Sequence, residues 1–368
     1  MHRAHKIRLY PTREQKVLLL KTAGTSRYVY NWGLAEWKAM WKAVEDGTST
    51  QKPSAFVLMK RWTQERPEWS YETFRGAQDR ALHDLGTAFQ KLWRGQTKDP
   101  TFHKKGKKKD SFYVDNAHAY IDGSHIMLPR IGKVRLAENL RFEGKIMGYT
   151  VSTYAGQWHV SVEVDLSDAK RPCFNPTSVV GIDVGLKHIA TASDGTVLDA
   201  PASLKRLDVK LRNAQRALAR SQRNSKNHQK LLLKKQKVQN RINNIRSDVT
   251  HKFTSTITKN HGVVVVEDLN IEEMKEKAPS KAVRRAFNSS LMTSIHYQLS
   301  YKARKLVKVS QCFPSSKTCS HCGAIKSDLK LSERTYVCPH CGLTIDRDLN
   351  AAINLCKAGM VNPGVPVE

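Results

Sequence analysis

Acidic residues are scarce in this chain. Only 33 Asp and Glu stand against 62 Lys and Arg in 368 residues, leaving a formal charge of +29 at pH 7. That excess is far larger than solubility requires and implies a polyanionic partner. A membrane surface is the rival anionic partner, but no apolar run approaches the roughly 20 residues that span a bilayer. Nor does a basic segment followed by an apolar one open the chain: Met1-His2-Arg3-Ala4-His5-Lys6 leads directly into the alternating strand Ile7-Arg8-Leu9-Tyr10. Cysteine is sparse as well, with seven in all. Export and a disulfide framework are therefore not expected; the expectation is a cytosolic, reduced protein bound to nucleic acid.

What cysteine there is has a pattern. Cys319-x-x-Cys322 and Cys338-x-x-Cys341 are separated by fifteen residues, whereas Cys173, Cys312 and Cys356 are scattered. Two short knuckles at that spacing supply four soft ligands to a structural Zn²⁺, the arrangement of a zinc ribbon. Immediately beyond lies Asp346-Arg347-Asp348-Leu349-Asn350-Ala351-Ala352.

The opening strand ends at Pro11-Thr12, where Thr12 and Gln15 form a capping box for the following helix. Apolar spacing at Val17, Leu18 and Leu20, then at Tyr28, Val29, Trp32, Leu34 and Trp37, predicts two helices. A further helix is expected over about 71–93. The aromatics Tyr28, Tyr30, Trp32, Trp37 and Trp41 fit core packing better than base stacking. Lys98-Asp99-Pro100 stops the helical region. The run from His103 through Lys104, Lys105 and Lys107 to Lys109 reads equally as a solvated loop or a phosphate contact, and a nuclear address stays open. From Phe112 to Asp165 the period is two, with strands at 126–128 and 133–136 and a hairpin turning at Ala155-Gly156. This predicts a small β-barrel or sandwich that the first strand joins, interrupted by the helices.

Arg171 to Pro176 reads as a linker. The buried strand Ser178 to Asp183 then ends in a carboxylate and is followed by a hairpin over 189–198. Between Lys205 and Arg246 there are fourteen Lys and Arg and one acid, Asp208. Two helices fit there, broken near Asn224-Ser225, with Val238, Ile242, Ile245 and Val249 as an apolar seam. So basic a hairpin repels itself unless an anion lies on it, which makes Arg216, Arg220, Arg223 and Lys234 candidate nucleic-acid contacts beside Lys104 and Lys105. A second buried strand, Val263 to Val266, ends in Glu267-Asp268. A helix is expected over about 288–306, before the strand Val307-Lys308-Val309, and a terminal helix that Gly359 can cap.

Asp183 and Glu267 at strand ends and Asp348 at the start of the last helix form one candidate constellation. Each alone is equally a turn, cap or ion-pair residue. Gathered together they repel, unless a divalent metal neutralises them. Mg²⁺ (or Mn²⁺) takes hard oxygen ligands and substrate phosphate, and two such ions about 3.5–4 Å apart serve phosphodiester cleavage. Asp346 fits an N-cap, leaving Asp348 on a face with Ala351, Ala352 and Leu355. A carboxylate on the first strand of a strand–hairpin unit is how ribonuclease-H-like folds begin, so an α/β multidomain chain with such a nuclease domain is expected.

On these residues the chain resembles the TnpB proteins of bacterial insertion sequences, RNA-guided DNA endonucleases held to be ancestral to type V CRISPR effectors. The resemblance rests on Lys6 to Thr12 with Gln15, on Arg27 to Trp32 and on Ala81 to Leu85 with Ala88-Phe89. It continues through Gly181 to Gly185, Val266 to Leu269, Pro314 to Gly323 and Asp346 to Asn354. It implies a RuvC-like nuclease domain with catalytic, magnesium-holding Asp183, Glu267 and Asp348 over 173–311 and 344–359, with the basic hairpin at about 203–260. It further implies an inserted zinc ribbon at 312–343 on Cys319, Cys322, Cys338 and Cys341, and a wedge β-barrel at 1–12 and 98–172 carrying a helical recognition insert at 13–97. Residues 360–368 are expected to be a disordered tail. The implied partners are a guide RNA and target double-stranded DNA read beside a short target-adjacent motif, with no membrane and no required oligomer, in a bacterial, nucleoid-associated setting. Two other readings stay open: an RNA-guided repressor that binds without cutting, and a DNA-joining transposase with a ribonuclease-H-like site.

Overall fold

The computed structural model describes residues 2–106, 109–166, 178–185, 188–281, 283–284, 287, 290–330 and 333–361. The expected linker with Cys173, Lys107 and Lys108, Asn288, and the chain past 361 lie outside them. Two compact units divide at 170/171.

In the first unit, His5, Ile7 and Leu9 alternate with exposed Lys6, Arg8 and Tyr10, so the segment pleats as strand β1 (His2–Tyr10) with one buried face. Six more strands follow: β2 (Ser111–Asp115), β3 (Tyr120–Asp122), β4 (His125–Leu128), β5 (Gly132–Leu136), β6 (Lys145–Tyr154) and β7 (Gln157–Asp165). They pair antiparallel in the order β2-β6-β7-β1-β5-β4-β3. Ile7, Leu9, Val134, Val151, Trp158, Val160 and Val162 fill the core beneath them. The hairpin turn is Ala155-Gly156, both in the left-handed region (φ 54° and 76°), which matches the twist of the two flanking strands.

The helices of this unit differ from the sequence reading in three places. The capping box is present: Thr12 Oγ1 accepts the Gln15 N–H at 3.2 Å and Gln15 Oε1 accepts the Thr12 N–H at 3.0 Å. It starts one helix, α1 (Arg13–Glu45), where two were expected. The apparent gap in its apolar stripe is filled by small residues that pack. Ala23 is buried, Ser26 Oγ donates to Ala77 O at 3.3 Å, and Gly33 lies against Leu82. Helix α2 (Ala55–Glu65) was not anticipated, because its buried stripe is only Leu58 and Trp62. The helix expected from 71 begins instead at Arg75, as α3 (Arg75–Trp93), after a 3₁₀ turn at Glu68–Glu72. Gln78 explains the delay: its Nε2 donates to Ser70 O and Thr73 Oγ1 at 2.8 and 3.1 Å, holding the preceding bend. Trp37, Trp62, Leu82, Leu85 and Phe89 bind the three helices together, so Trp37 is core as expected, whereas Tyr28 and Trp41 are exposed.

The second unit is built on a five-stranded sheet: β8 (Val179–Asp183), β9 (Ala190–Ala192), β10 (Val197–Leu198), β11 (Val263–Glu267) and β12 (Lys305–Val309), ordered β10-β9-β8-β11-β12. The first three form an antiparallel meander, and β11 and β12 run parallel to β8. Valines with no polar interruption make β11 a strand buried on both faces. Helices α4 (Ala202–Arg220) and α5 (Lys226–Asn260) form the expected basic hairpin, turning at Asn224 (φ 66°) with Ser225 as the cap of α5. Leu204, Leu207 and Ile242, with Leu211, Val238 and Ile245, make its seam. Short α6 (Ile271–Glu276) and α7 (Met292–Lys302) follow. The helix expected to reach 306 stops at Lys302: Ala303 turns extended and Leu306 belongs to β12. A ribbon with β13 (Thr335–Val337) and β14 (Thr344–Asp346) leads into helix α8 (Arg347–Val361).

Candidate metal centres

The two cysteine knuckles are the same turn made twice. Cys319 N–H donates to Ala324 O and Gly323 N–H to Cys319 O; likewise Cys338 N–H donates to Leu343 O and Gly342 N–H to Cys338 O. Gly323 and Gly342 supply the positive φ (78° and 72°) that each turn needs. The four Sγ atoms all lie within 4.8 Å of one another, with Cys319–Cys341 and Cys322–Cys338 each 3.6 Å apart. A tetrahedron with metal–sulfur bonds near 2.3 Å has edges of about 3.8 Å, so the set fits Zn²⁺. Two of the four thiols do not titrate alike. The Cys341 N–H holds Cys338 down to about 6. Cys341, although the Leu343 amide lowers it, is pushed to about 12 by burial and the surrounding thiols. Tyr336, fully buried under the knuckles, closes their core.

Asp183 ends β8, and the β8/β11 register pairs Ile182 with Val266, setting Glu267 on the adjacent strand end. Helix α8 brings the third carboxylate, and two glycines let it approach. A Cβ on Gly181 would lie 2.1 Å from Ala352 O, and one on Gly359 would lie 2.3 Å from Val265 Cγ2, so α8 rests directly on β8 and β11. The sequence offers Gly359 as a cap; the helix continues through it to Val361, and the missing side chain serves close packing instead. Cys356 Sγ contacts Val179 O at 3.5 Å, so the helix runs antiparallel to β8. Two turns earlier in α8, and four residues further along β8, stand Asp348 and Asp183. Asp348, Ala351, Ala352 and Leu355 are all buried, as their shared face requires. Asp346 caps the helix: its Oδ1 accepts the N–H groups of Asp348 and Leu349 at 2.9 and 3.1 Å.

The electrostatics of this strand end are those of crowded acids. Burial, then Asp348 and Glu267, push the Asp183 carboxyl up to about 7 against the relief given by Arg347. Burial alone raises Glu267 to about 6. Hard oxygen donors that repel in this way fit a divalent cation. Among the described residues the four cysteines are the group whose ligand atoms gather within 4.8 Å of one another; the three carboxylates do not form such a cluster.

Three residues of this region carried no assigned role in the sequence. Asn350 Oδ1 accepts the Ser320 N–H at 2.9 Å and its Nδ2 donates to Thr318 O at 2.7 Å. Asn354 Nδ2 donates to Ser315 O and Thr318 O at 2.8 and 2.7 Å. Both asparagines are buried, at 0% and 4% exposure. Arg347 Nη1 donates to Lys330 O and Glu333 O at 3.4 and 3.3 Å while its charge reaches Asp183. The i, i+4 spacing of polar Asn350 and Asn354 inside an apolar helix was the available signal. The candidate contacts Arg216, Arg220, Arg223, Lys234, Lys104 and Lys105 are all exposed and are not part of either centre.

An α/β unit whose sheet-end carboxylates and four-cysteine cluster meet on one helix defines a class of fold with a candidate metal site. The comparisons place it further. Residues 158–278 match the family model described as "Probable transposase", 289–355 that of "Cas12f1-like, TNB domain", and 1–46 that of "Helix-turn-helix domain", where the fold is β1 followed by α1. The chain is 31% identical over 364 residues to a Streptomyces pristinaespiralis protein named "Putative RNA-guided DNA endonuclease", covering 97% of this chain and 89% of that one. It is 29% identical over 394 residues to Escherichia coli (strain K12) "Putative RNA-guided DNA endonuclease InsQ", covering 99% and 96%. A solved structure of the mini-RNA-guided endonuclease CRISPR-Cas phi3 is similar at a TM-score of 0.49 and 9% identity, covering 100% of this chain and 93% of that one. The chain belongs to the TnpB family of insertion sequences.

Proposed function

We propose that this protein is an RNA-guided, metal-dependent DNA endonuclease that cuts target DNA beside a short target-adjacent motif. The observation that carries the reading is the convergence of Asp183 and Glu267, on paired strand ends, with Asp348 on the helix that lies against Gly181. Crowding three acids there, Asp348 buried and Asp183 and Glu267 half-buried, is unfavourable without a function, and relatives over nearly the whole chain bear the name of that activity. The meander followed by two parallel strands supports a ribonuclease-H-like (RuvC) unit, and the seven-stranded sheet, entered by α1–α3 between β1 and β2, supports the wedge and helical-insert division.

In this reading Asp183, Glu267 and Asp348 hold Mg²⁺ or Mn²⁺, and Cys319, Cys322, Cys338 and Cys341 hold structural Zn²⁺. The divalent metal supplies Lewis-acid charge for two-metal-ion phosphodiester hydrolysis. Asp346 serves the helix start rather than the metal. The guide RNA and its heteroduplex are gripped by backbone and shape, so base pairing carries the sequence reading. Asp183→Ala, Glu267→Ala and Asp348→Ala are each expected to abolish cleavage by the purified protein–RNA complex while RNA and DNA binding persist. Cleavage surviving any of them contradicts the assignment.

A further inference from the structure

We propose that Asn350 and Asn354 are positioning residues that couple the two metal centres, so that an intact zinc knuckle raises metal affinity at the carboxylates and the reverse. The proposal rests on the nuclease reading above and goes beyond it. Helix α8 has two working faces. Asp348, Ala351, Ala352 and Leu355 meet the sheet; Asn350, Asn354 and Lys357 meet the knuckle. The backbone they hold, Ser315, Thr318 and Ser320, brackets Cys319 on both sides. Lys357 adds a hydrogen bond from Nζ to Ser320 O. Asn350 offers one acceptor and one donor to two peptide groups of the same turn, a match that fixes both the rotation and the height of the helix. A buried amide network is costly when half satisfied, so the knuckle and the helix keep this register together or lose it together. Asp348 lies two residues before Asn350 on that same rigid helix. Displacing the knuckle therefore displaces Asp348 against Asp183. The Arg347 bonds to Lys330 O and Glu333 O fasten the start of the helix to the ribbon in the same sense.

The test uses the purified protein–RNA complex with Mn²⁺ as probe, read by electron paramagnetic resonance, and zinc content by elemental analysis. Asn350→Ala and Asn354→Ala are expected to keep zinc but bind Mn²⁺ about tenfold more weakly, as for other residues that orient a metal ligand. Cleavage then falls at low Mn²⁺ and returns at high Mn²⁺, which a merely unfolded variant cannot do. Linkage is reciprocal, so in the unsubstituted complex Mn²⁺ is expected to raise the zinc affinity, read by equilibrium competition with a chelator, by the same roughly tenfold factor. Unchanged Mn²⁺ affinity in zinc-loaded variants overturns the proposal. If the variants do not fold, the zinc competition measurement decides alone, and a zinc affinity indifferent to Mn²⁺ overturns it. An unsubstituted complex whose Mn²⁺ signal is absent, or insensitive to Asp183→Ala, is instead the failure of the nuclease reading itself.

Discussion

Asp183 is pressed by burial and by Asp348, Glu267 and Asp346, with Arg347 as the opposing charge. Its pKa rises from 3.8 to about 7, so the folded protein holds a proton that the unfolded chain has released. Stability of the metal-free protein is therefore highest below the unfolded value and is lost as pH rises through that window. Asp183→Asn is expected to abolish cleavage yet stabilise metal-free protein and raise its melting temperature, by on the order of 4 kcal/mol at pH 8 and less than half of that at pH 5. Thermal melts at the two pH values check this; equal melting at pH 8 contradicts it. Asp346→Ala should be mild by comparison, costing about 1 kcal/mol as a lost helix cap and leaving substantial cleavage. The positions of these carboxylates were legible because each closes an apolar run or opens a helix. Their electrostatics were not, since burial and the approach of α8 are long-range facts. Asn350 and Asn354 were visible as letters, but their partners lie thirty or more residues away.

Glycine marks where elements touch. Gly181→Ala would drive a methyl into Ala352 O and Cys356 N, atoms of the α8 backbone that cannot swing aside. The expected cost is about 1–3 kcal/mol, with cleavage falling further than stability because Asp348 moves with the helix. A Gly181→Ala protein that cleaves normally contradicts this packing. At the ribbon, Cys338→Ser is expected to release zinc and to disorder the path into α8, lowering activity without touching the reacting groups. Zinc-free native protein that is well folded, by elemental analysis and circular dichroism, would sink that assignment. Periodicity located most elements, among them β8, β11 and the α4–α5 hairpin. It failed at α1, where small packed residues hide a continuous face. It failed again at α7, where Leu306 of β12 reads as the end of the helix although Val307 to Val309 read as strand. Gly359 shows the same limit: a glycine near a helix end reads as a cap unless the neighbouring Val265 is known.

Charge is the property that belongs to the whole chain. Between Lys205 and Arg246 the α4–α5 hairpin carries fourteen cations against one acid, and the described buried residues of α5 begin only at Ile242. Arg216, Arg220, Arg223 and Lys234 are exposed, and none has an acidic partner among the described residues. Reversing these four to glutamate is expected to weaken RNA and target-DNA binding across sequences and to flatten the salt dependence, because the contacts are to phosphates. Unchanged affinity and slope would leave the hairpin a solvated arm. The central claim, guided cleavage by the carboxylate trio, is tested most directly on one plasmid. It carries a target complementary to the RNA that co-purifies with the protein, and its cutting is measured with and without that RNA and Mg²⁺. Site-specific cutting that needs both and vanishes in Asp183→Ala is the predicted result. Efficient cutting by RNA-free protein, or cutting that survives Asp183→Ala, would contradict it.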